Sequence, residues 1–491
     1  MAKARTSLFL VFLVLYCTAV VGSIYAVHGF ILSNEKIEGI WQGTLRFSGM
    51  ELRLIFTIFK KADNGLTATY DVPEQNVKGA LVDKITYNNG GVILEIIPIQ
   101  GVYKGKISEE GIKIEGNWIQ GGMTLPLVLE RTNLRTVMKR PQEPEKPFPY
   151  HVEEVVFQSI NERITLAGTL TIPFSEEKCP AVLLLSGSGP QNRDEAVFGH
   201  HPFFVLADYL TRRGLAVLRV DDRGVGGSTG DFSEATALDF TDDALAGVAY
   251  LKSRQEIDQD LIGLIGHSEG GIIASMAVVR SPDIAFIILM ASPGMAIKDM
   301  EYSEQARDLK AKGASENLIA RNRTVQNSLF AIVEQEKDER VVEKKMTSIF
   351  TDFFKGLSEE ERKIIGISNE NLDAYIHDQF KRLNSPWFRF YLPFNPGEVL
   401  QKVKCPVLAL NGEKDIQVTS KENLNAIEKA LKAGGSKDFT IMELTNLNHL
   451  FQTAKTGEIS EYSKIEETMS PAAFQIIGDW ILQQTESIRV R

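Results

Sequence analysis

Gly266-His267-Ser268-Glu269-Gly270-Gly271 is the segment of this sequence with the clearest chemical potential. The apolar run 261–265 precedes it and the apolar run 272–279 follows it, so the spacing predicts a strand, a tight turn and a helix with Ser268 at the apex. Gly266 and Gly270 stand where Cβ atoms would collide in such a turn. The first N–H groups of the following helix would point at the same spot, which suits a developing oxyanion. A serine hydroxyl is a poor nucleophile near neutral pH. It needs a histidine to take its proton and a carboxylate to orient that histidine.

The sequence offers seven histidines. His267 lies in the turn itself and is expected to point away from Ser268. His200 and His201 precede a helical stretch and are expected in surface or capping roles, with approach to the site as the alternative. His28 and His151 have no supporting context, and His377 falls in a charged helical region. His449 occupies Leu447-Asn448-His449-Leu450-Phe451, a loop after a late strand. The carboxylates to weigh are Glu413 and Asp415 in Asn411-Gly412-Glu413-Lys414-Asp415, and Asp222, which is expected to form a structural ion pair with its neighbour Arg223.

The elements that must position these groups alternate between strand and helix. Residues 155–157 and 164–170 predict an opening antiparallel pair. Apolar runs at 181–185, 261–265, 285–290 and 407–410 predict buried strands and 215–220 a further strand, with helices at 203–213 and 239–253 between them and 471–483 at the end. The succession predicts an α/β fold with a mostly parallel sheet and helices on both faces, over residues 151–491. Strand periodicity disappears over 297–396, where charged helix formers dominate, and this stretch reads as an inserted helical cap. It closes on the apolar patch 386–394, whose Trp387 and Phe388 are candidates for a substrate-pocket wall and equally for packing the cap on the sheet.

Ahead of this region, residues 36–133 consist of short alternating runs separated by turn signals such as Asn88-Asn89-Gly90-Gly91, which predict a small all-β domain, a sandwich or a barrel. The echo of Gly39-Ile40-Trp41-Gln42-Gly43 in Gly116-Asn117-Trp118-Ile119-Gln120-Gly121 suggests that its ends meet. No nucleophile–base pair is identifiable there. Residues 134–150 carry four prolines among charges and read as a stiff linker. Residues 1–27 start with Lys3 and Arg5 ahead of an apolar stretch, the pattern of an export signal or an uncleaved membrane anchor, and place the rest of the chain outside the cytoplasm.

Composition narrows the function classes. A net charge of −10 with both signs interspersed argues against a nucleic-acid surface, and 43% hydrophobic residues exclude wholesale disorder. Of three cysteines, Cys179 and Cys405 each precede a predicted sheet strand, roughly 14 Å apart if these are the third and seventh strands, too far for a disulfide. They are expected as free, buried thiols. No Cys/His cluster has the spacing of metal ligands.

The segments Ser-Gly-Ser-Gly-Pro-Gln-Asn-Arg-Asp (186–194), Asp-Asp-Arg-Gly-Val-Gly-Gly-Ser (221–228), Gly-His-Ser-Glu-Gly-Gly (266–271) and Asn-His-Leu-Phe-Gln (448–452) are similar to those of α/β-hydrolases. Together they resemble bacterial serine esterases related to the prolyl-oligopeptidase and acyl-thioesterase branches. The resemblance implies a chain order of nucleophile, acid, histidine, with the acid at the end of Gly-x-x-Asp. That selects Ser268, Asp415 and His449 as the catalytic residues. It also implies backbone oxyanion donors at Glu269, directly after the nucleophile, and at Ser188, in the Gly-rich loop after the third strand. The activity implied is hydrolysis of a small-molecule carboxylic ester without metal or organic cofactor, with a peptidase, an acyl-CoA thioesterase and a noncatalytic binder as alternatives.

Overall fold

The computed structural model describes residues 37–490 except 48–49, 62–64, 76, 122, 133–139, 161–162 and 370. The expected signal or anchor segment, with Cys17, lies outside the described residues. The chain divides into two compact units between Val137 and Met138.

The first unit is one antiparallel sheet of nine strands: β1 (Gly39–Phe47), β2 (Met50–Lys60), β3 (Leu66–Val72), β4 (Val77–Leu81), β5 (Lys84–Asn88), β6 (Gly91–Ile96), β7 (Gly101–Ile107), β8 (Lys113–Gln120) and β9 (Met123–Thr132). Their order is β4-β3-β2-β1-β9-β8-β7-β6-β5, so the first strand pairs with the last and the two edge strands are joined by Val82-Asp83. Alternation puts Val92, Leu94 and Ile96 of β6 inward while the residues between them are partly exposed. One apolar core results, and it contains both echoed tryptophans. Trp41 is fully buried with its Nε1 donating to Ile37 O at 2.7 Å, and Trp118 donates to Gln120 Oε1 at 3.0 Å. Both act as core residues.

The second unit is built on eight strands: β10 (Tyr150–Gln158), β11 (Thr165–Pro173), β12 (Cys179–Leu185), β13 (Ala216–Val220), β14 (Ile257–His267), β15 (Phe286–Met290), β16 (Val407–Gly412) and β17 (Phe439–Leu444). The order is β10-β11-β13-β12-β14-β15-β16-β17, antiparallel as far as β13 and parallel from there on. The continuous apolar runs feed two cores. Ala181 and Leu183 of β12 enter one, while Val182 and Leu184 enter the other. Helices α1 (Pro202–Arg212), α2 (Ala237–Ser253) and α3 (Glu269–Arg280) connect the central strands and supply residues to these cores. The segment from Arg140, part of the expected stiff linker, is fastened to this unit through Arg140 Nε to Gly199 O at 2.8 Å and Gln142 Nε2 to Met469 O at 2.7 Å.

Between β15 and β16 stand seven helices: α4 (Ile297–Ala311), α5 (Glu316–Gln335), α6 (Glu339–Lys355), α7 (Glu359–Ile365), α8 (Leu372–Asn384), α9 (Pro386–Tyr391) and α10 (Pro396–Leu400). Local chemistry sets their starts: Ser315 caps α5, Asp338 caps α6 and Ser358 with Glu361 forms a capping box on α7. The cap has a core of its own, which includes Phe330, Met346, Phe380 and Phe388. The remaining helices are α11 (Ser420–Ala433), α12 (Ile459–Tyr462) and α13 (Pro471–Val490). Cys179 and Cys405 are free thiols, the first buried and the second half-buried. The three strand spacings between them follow from the order β12-β14-β15-β16.

His200 differs from its expected surface or capping role. It is fully buried, with Nδ1 at 3.0 Å from Thr468 Oγ1 and Nε2 at 2.9 Å from Tyr462 O, partners that a neutral ring satisfies. Burial, aided by the Arg140 charge, pulls its pKa down to about 4. Between about pH 6.5 and 4 the unfolded chain takes up a proton that the folded chain refuses, so His200 costs stability as pH falls, by roughly 2–3 kcal/mol. The stability difference between wild type and His200→Gln should therefore narrow by about that amount between pH 7.5 and pH 4.5 in denaturant titrations. A gap independent of pH would contradict this.

Candidate active site

Ser268 sits between β14 and α3 with φ 52° and ψ −119°, a conformation costing about 1–3 kcal/mol in a residue with a side chain. Packing holds it there. A Cβ on Gly266 would lie 2.1 Å from Gly270 O, and a Cβ on Gly270 would lie 2.1 Å from Leu185 O. The end of β14, the start of α3 and the end of β12 thus touch backbone to backbone, and Ser268 N donates to Met290 O of β15 at 2.8 Å. The Ser268 residue is partly exposed at the strands' C-terminal ends.

Asp415 and His449 come together from the loops after β16 and β17. His449 Nδ1 lies 2.7 Å from Asp415 Oδ2, while Asp415 Oδ1 accepts from the N–H groups of Gln417 and Val418, each at 2.9 Å. Three acceptor bonds fit an ionised carboxylate, which keeps the histidine proton on Nδ1 and leaves Nε2 as the basic nitrogen. The loops are pressed together: a Cβ on Gly412 would be 2.2 Å from Leu447 O. Asn448 Oδ1 accepts from Leu450 N and Gln452 N and fixes the turn around His449. Among the described residues no hydrogen bond joins Ser268 Oγ to His449, an arrangement common before substrate binds. Glu413 turns away and accepts from Asn446 N.

Of the predicted oxyanion donors, Glu269 directly follows Ser268, and Ser188 follows Gly187 in the loop after β12. The N–H groups of Glu269 and Ser188 have no acceptor among the described residues, whereas Gly187 N donates to Glu195 Oε1 at 2.7 Å. A Cβ on Gly187 would be 3.3 Å from Ser268 Cβ, so the loop lies directly against the serine.

Several side chains here differ from expectation. Asp222 does not pair with Arg223. The arginine turns to Asp239 and Asp243 of α2, and Asp222 accepts from Ser186 Oγ and Gln191 N, both at 2.9 Å, under the loop. Burial pushes its pKa up to about 7. Glu269, important to the prediction only for its backbone, has a fully enclosed side chain whose Oε1 accepts from Trp387 Nε1 at 2.7 Å, and burial raises its pKa to about 7. Trp387 therefore reaches from the cap to the residue after Ser268. Phe388 does not: it points into the cap core, fully buried against Phe330, because the patch 386–391 is a regular helix that sends neighbouring side chains to different faces. A cavity of about 50 Å³ beside the site is lined instead by Leu184, Gly187, Asp222, Phe240, Glu269 and Ile273, among others. The sequence signal for Phe240 and Ile273 was present only as helix periodicity.

A parallel-centred sheet in this strand order, with a strained serine between β14 and α3 and an acid–histidine pair after the late strands β16 and β17, decides the fold. The second unit has the α/β-hydrolase fold. Residues 201–355 of this unit match the family model described as serine aminopeptidase, S33. The chain is 23% identical over 286 residues to esterase EstD of Thermotoga maritima, a match covering 58% of this chain and 58% of that protein's length. Solved structures similar to it include Est1E from Butyrivibrio proteoclasticus with bound ferulic acid (16% identity, 68% of this chain and 99% of that chain, TM-score 0.39). Another is the Pyrococcus furiosus esterase Pf2001 (15% identity, 72% of this chain and 100% of that chain, TM-score 0.42).

Proposed function

We propose that this protein is a serine hydrolase of small carboxylic esters that works through an acyl-enzyme on Ser268. The observation that supports it best is the pairing of a strained, partly exposed Ser268 with a buried His449–Asp415 couple that leaves Nε2 as the base. Ser268 Oγ attacks the acyl carbon as His449 Nε2 takes its proton. The N–H groups of Glu269 and Ser188 receive the oxyanion. His449 returns the proton to the departing alcohol, which breaks the ester bond and leaves the acyl group on Ser268. Water then attacks, with His449 again taking and returning a proton, and the carboxylic acid leaves. Similarity to EstD favours an ester over a thioester; the match to a family model named for a serine aminopeptidase supports an amide bond as the second reading.

A cavity of about 50 Å³ suits a short acyl group, and Phe240 is one of its walls. The deciding experiment compares turnover of p-nitrophenyl esters of increasing acyl length, acyl-CoA and peptide amides. Short p-nitrophenyl esters should be preferred, and Phe240→Ala should shift the kcat/KM ratio toward longer chains by roughly 10-fold. Preference for peptide amides would move the assignment to a peptidase, and an unchanged chain-length ratio in the variant would remove Phe240 from the pocket.

A further inference from the structure

His200 and His267 are both buried, yet their surroundings demand opposite charge states. His200 faces a hydroxyl, a carbonyl and the amide nitrogen of Gln452, which lies 2.9 Å from Nε2. His267 faces only acceptors: Nδ1 lies 2.8 Å from Glu195 Oε1 and Nε2 lies 3.0 Å from the backbone oxygen of His449. A neutral imidazole has one N–H and would leave one of these contacts as lone pair against lone pair. The same Glu195 oxygen also accepts from Gly187 N–H, and Glu195 is buried with φ 50°. Glu195 and His267 therefore join the loop after β12, the residue before Ser268 and the backbone of His449. The ring of His267 stands 4.8 Å, centroid to centroid, from that of His449.

We infer that His267 is a charged positioning residue, held as an imidazolium by Glu195, which fixes the Gly187–Ser188 loop and His449 relative to Ser268. The inference rests on the reading of Ser268 and His449 given above. Burial works against a charged His267, but the Glu195 carboxylate, the His449 carbonyl and the more distant Asp415 outweigh it and raise its pKa. The other ionisable groups of this region are accounted for: Asp415 is bonded to His449, Asp222 to Ser186 and Gln191, and Glu269 to Trp387. The imidazolium adds positive potential beside the place where the oxyanion forms.

The experiment uses the full chain and a fluorophosphonate probe, whose labelling rate reads Ser268 without knowledge of the natural substrate. In Glu195→Gln the shape and the acceptor for Gly187 N–H remain, but His267 loses its counter-ion. The labelling rate at pH 7 should fall by roughly 10-fold or more, and the His267 ring should pass from doubly to singly protonated. In parallel, ¹⁵N-histidine labelling of the wild type, with His267 assigned through His267→Asn, should find protons on both ring nitrogens at pH 7. A neutral ring in the wild type would overturn the inference even if the Glu195 variant failed to fold. A folded Glu195→Gln protein that labels at the wild-type rate would do so as well. Wild type that does not label at any pH would instead bring down the hydrolase reading itself, while the ring protonation would still be measured.

Discussion

Ser268→Ala is expected to lower ester turnover by about 10⁴-fold or more, with the fold intact. The variant removes one oxygen from a partly exposed position, and the turn is fixed by backbone contacts at Gly266 and Gly270 rather than by the hydroxyl. The positive φ of 52° persists with alanine, so the strain is unchanged. Steady-state kinetics on the best p-nitrophenyl ester, with circular dichroism and thermal melting as controls, measures this. A folded variant retaining more than a few per cent of activity would mean that another residue is the nucleophile.

Asp415→Asn should be nearly as severe, about 10⁴-fold in kcat. Asparagine can still accept from Gln417 N and Val418 N, so the loop keeps its shape. Its amide, however, donates where the carboxylate accepted, which favours a proton on Nε2 of His449 and blocks it as a base. Asp222→Asn provides the contrast. Asp222 touches Ser186 and Gln191 and has no histidine partner among the described residues, so its loss should cost activity far less. The assignment fails if Asp222→Asn is the more damaging change.

The sheet was legible because burial on both faces leaves a strong pattern: β12, β14, β15 and β16 each contain an apolar run (181–185, 261–265, 286–290 and 407–410), and the site lies at the C-terminal ends of these strands. Ser268 was legible because its turn requires two glycines at fixed spacing. Asp415 and His449 were legible only through the resemblance, since nothing in the local sequence separates Asp415 from Glu413 or Asp222. Partner choice at long range was not legible. Arg223 passes over its neighbour for Asp239 and Asp243 because α2 returns across it. His267 meets a Glu195 far away in sequence because a turn with positive φ folds that loop back toward β14. Within the stretch 297–396, expected to be helical, the chain breaks between α5 and α6, as Asp338 starts a new helix by accepting from Arg340 N and Val341 N. Phe388 stayed open between pocket wall and packing for want of a period: a six-residue helix is too short to declare which face is the core.

The most direct measurement of the central claim is to react the full chain with a fluorophosphonate at neutral pH, digest it and locate the adduct by mass spectrometry. One adduct on the peptide containing Ser268, absent from Ser268→Ala and strongly slowed in Asp415→Asn, is the predicted result. An adduct on another serine, or none on folded wild-type protein, would contradict it.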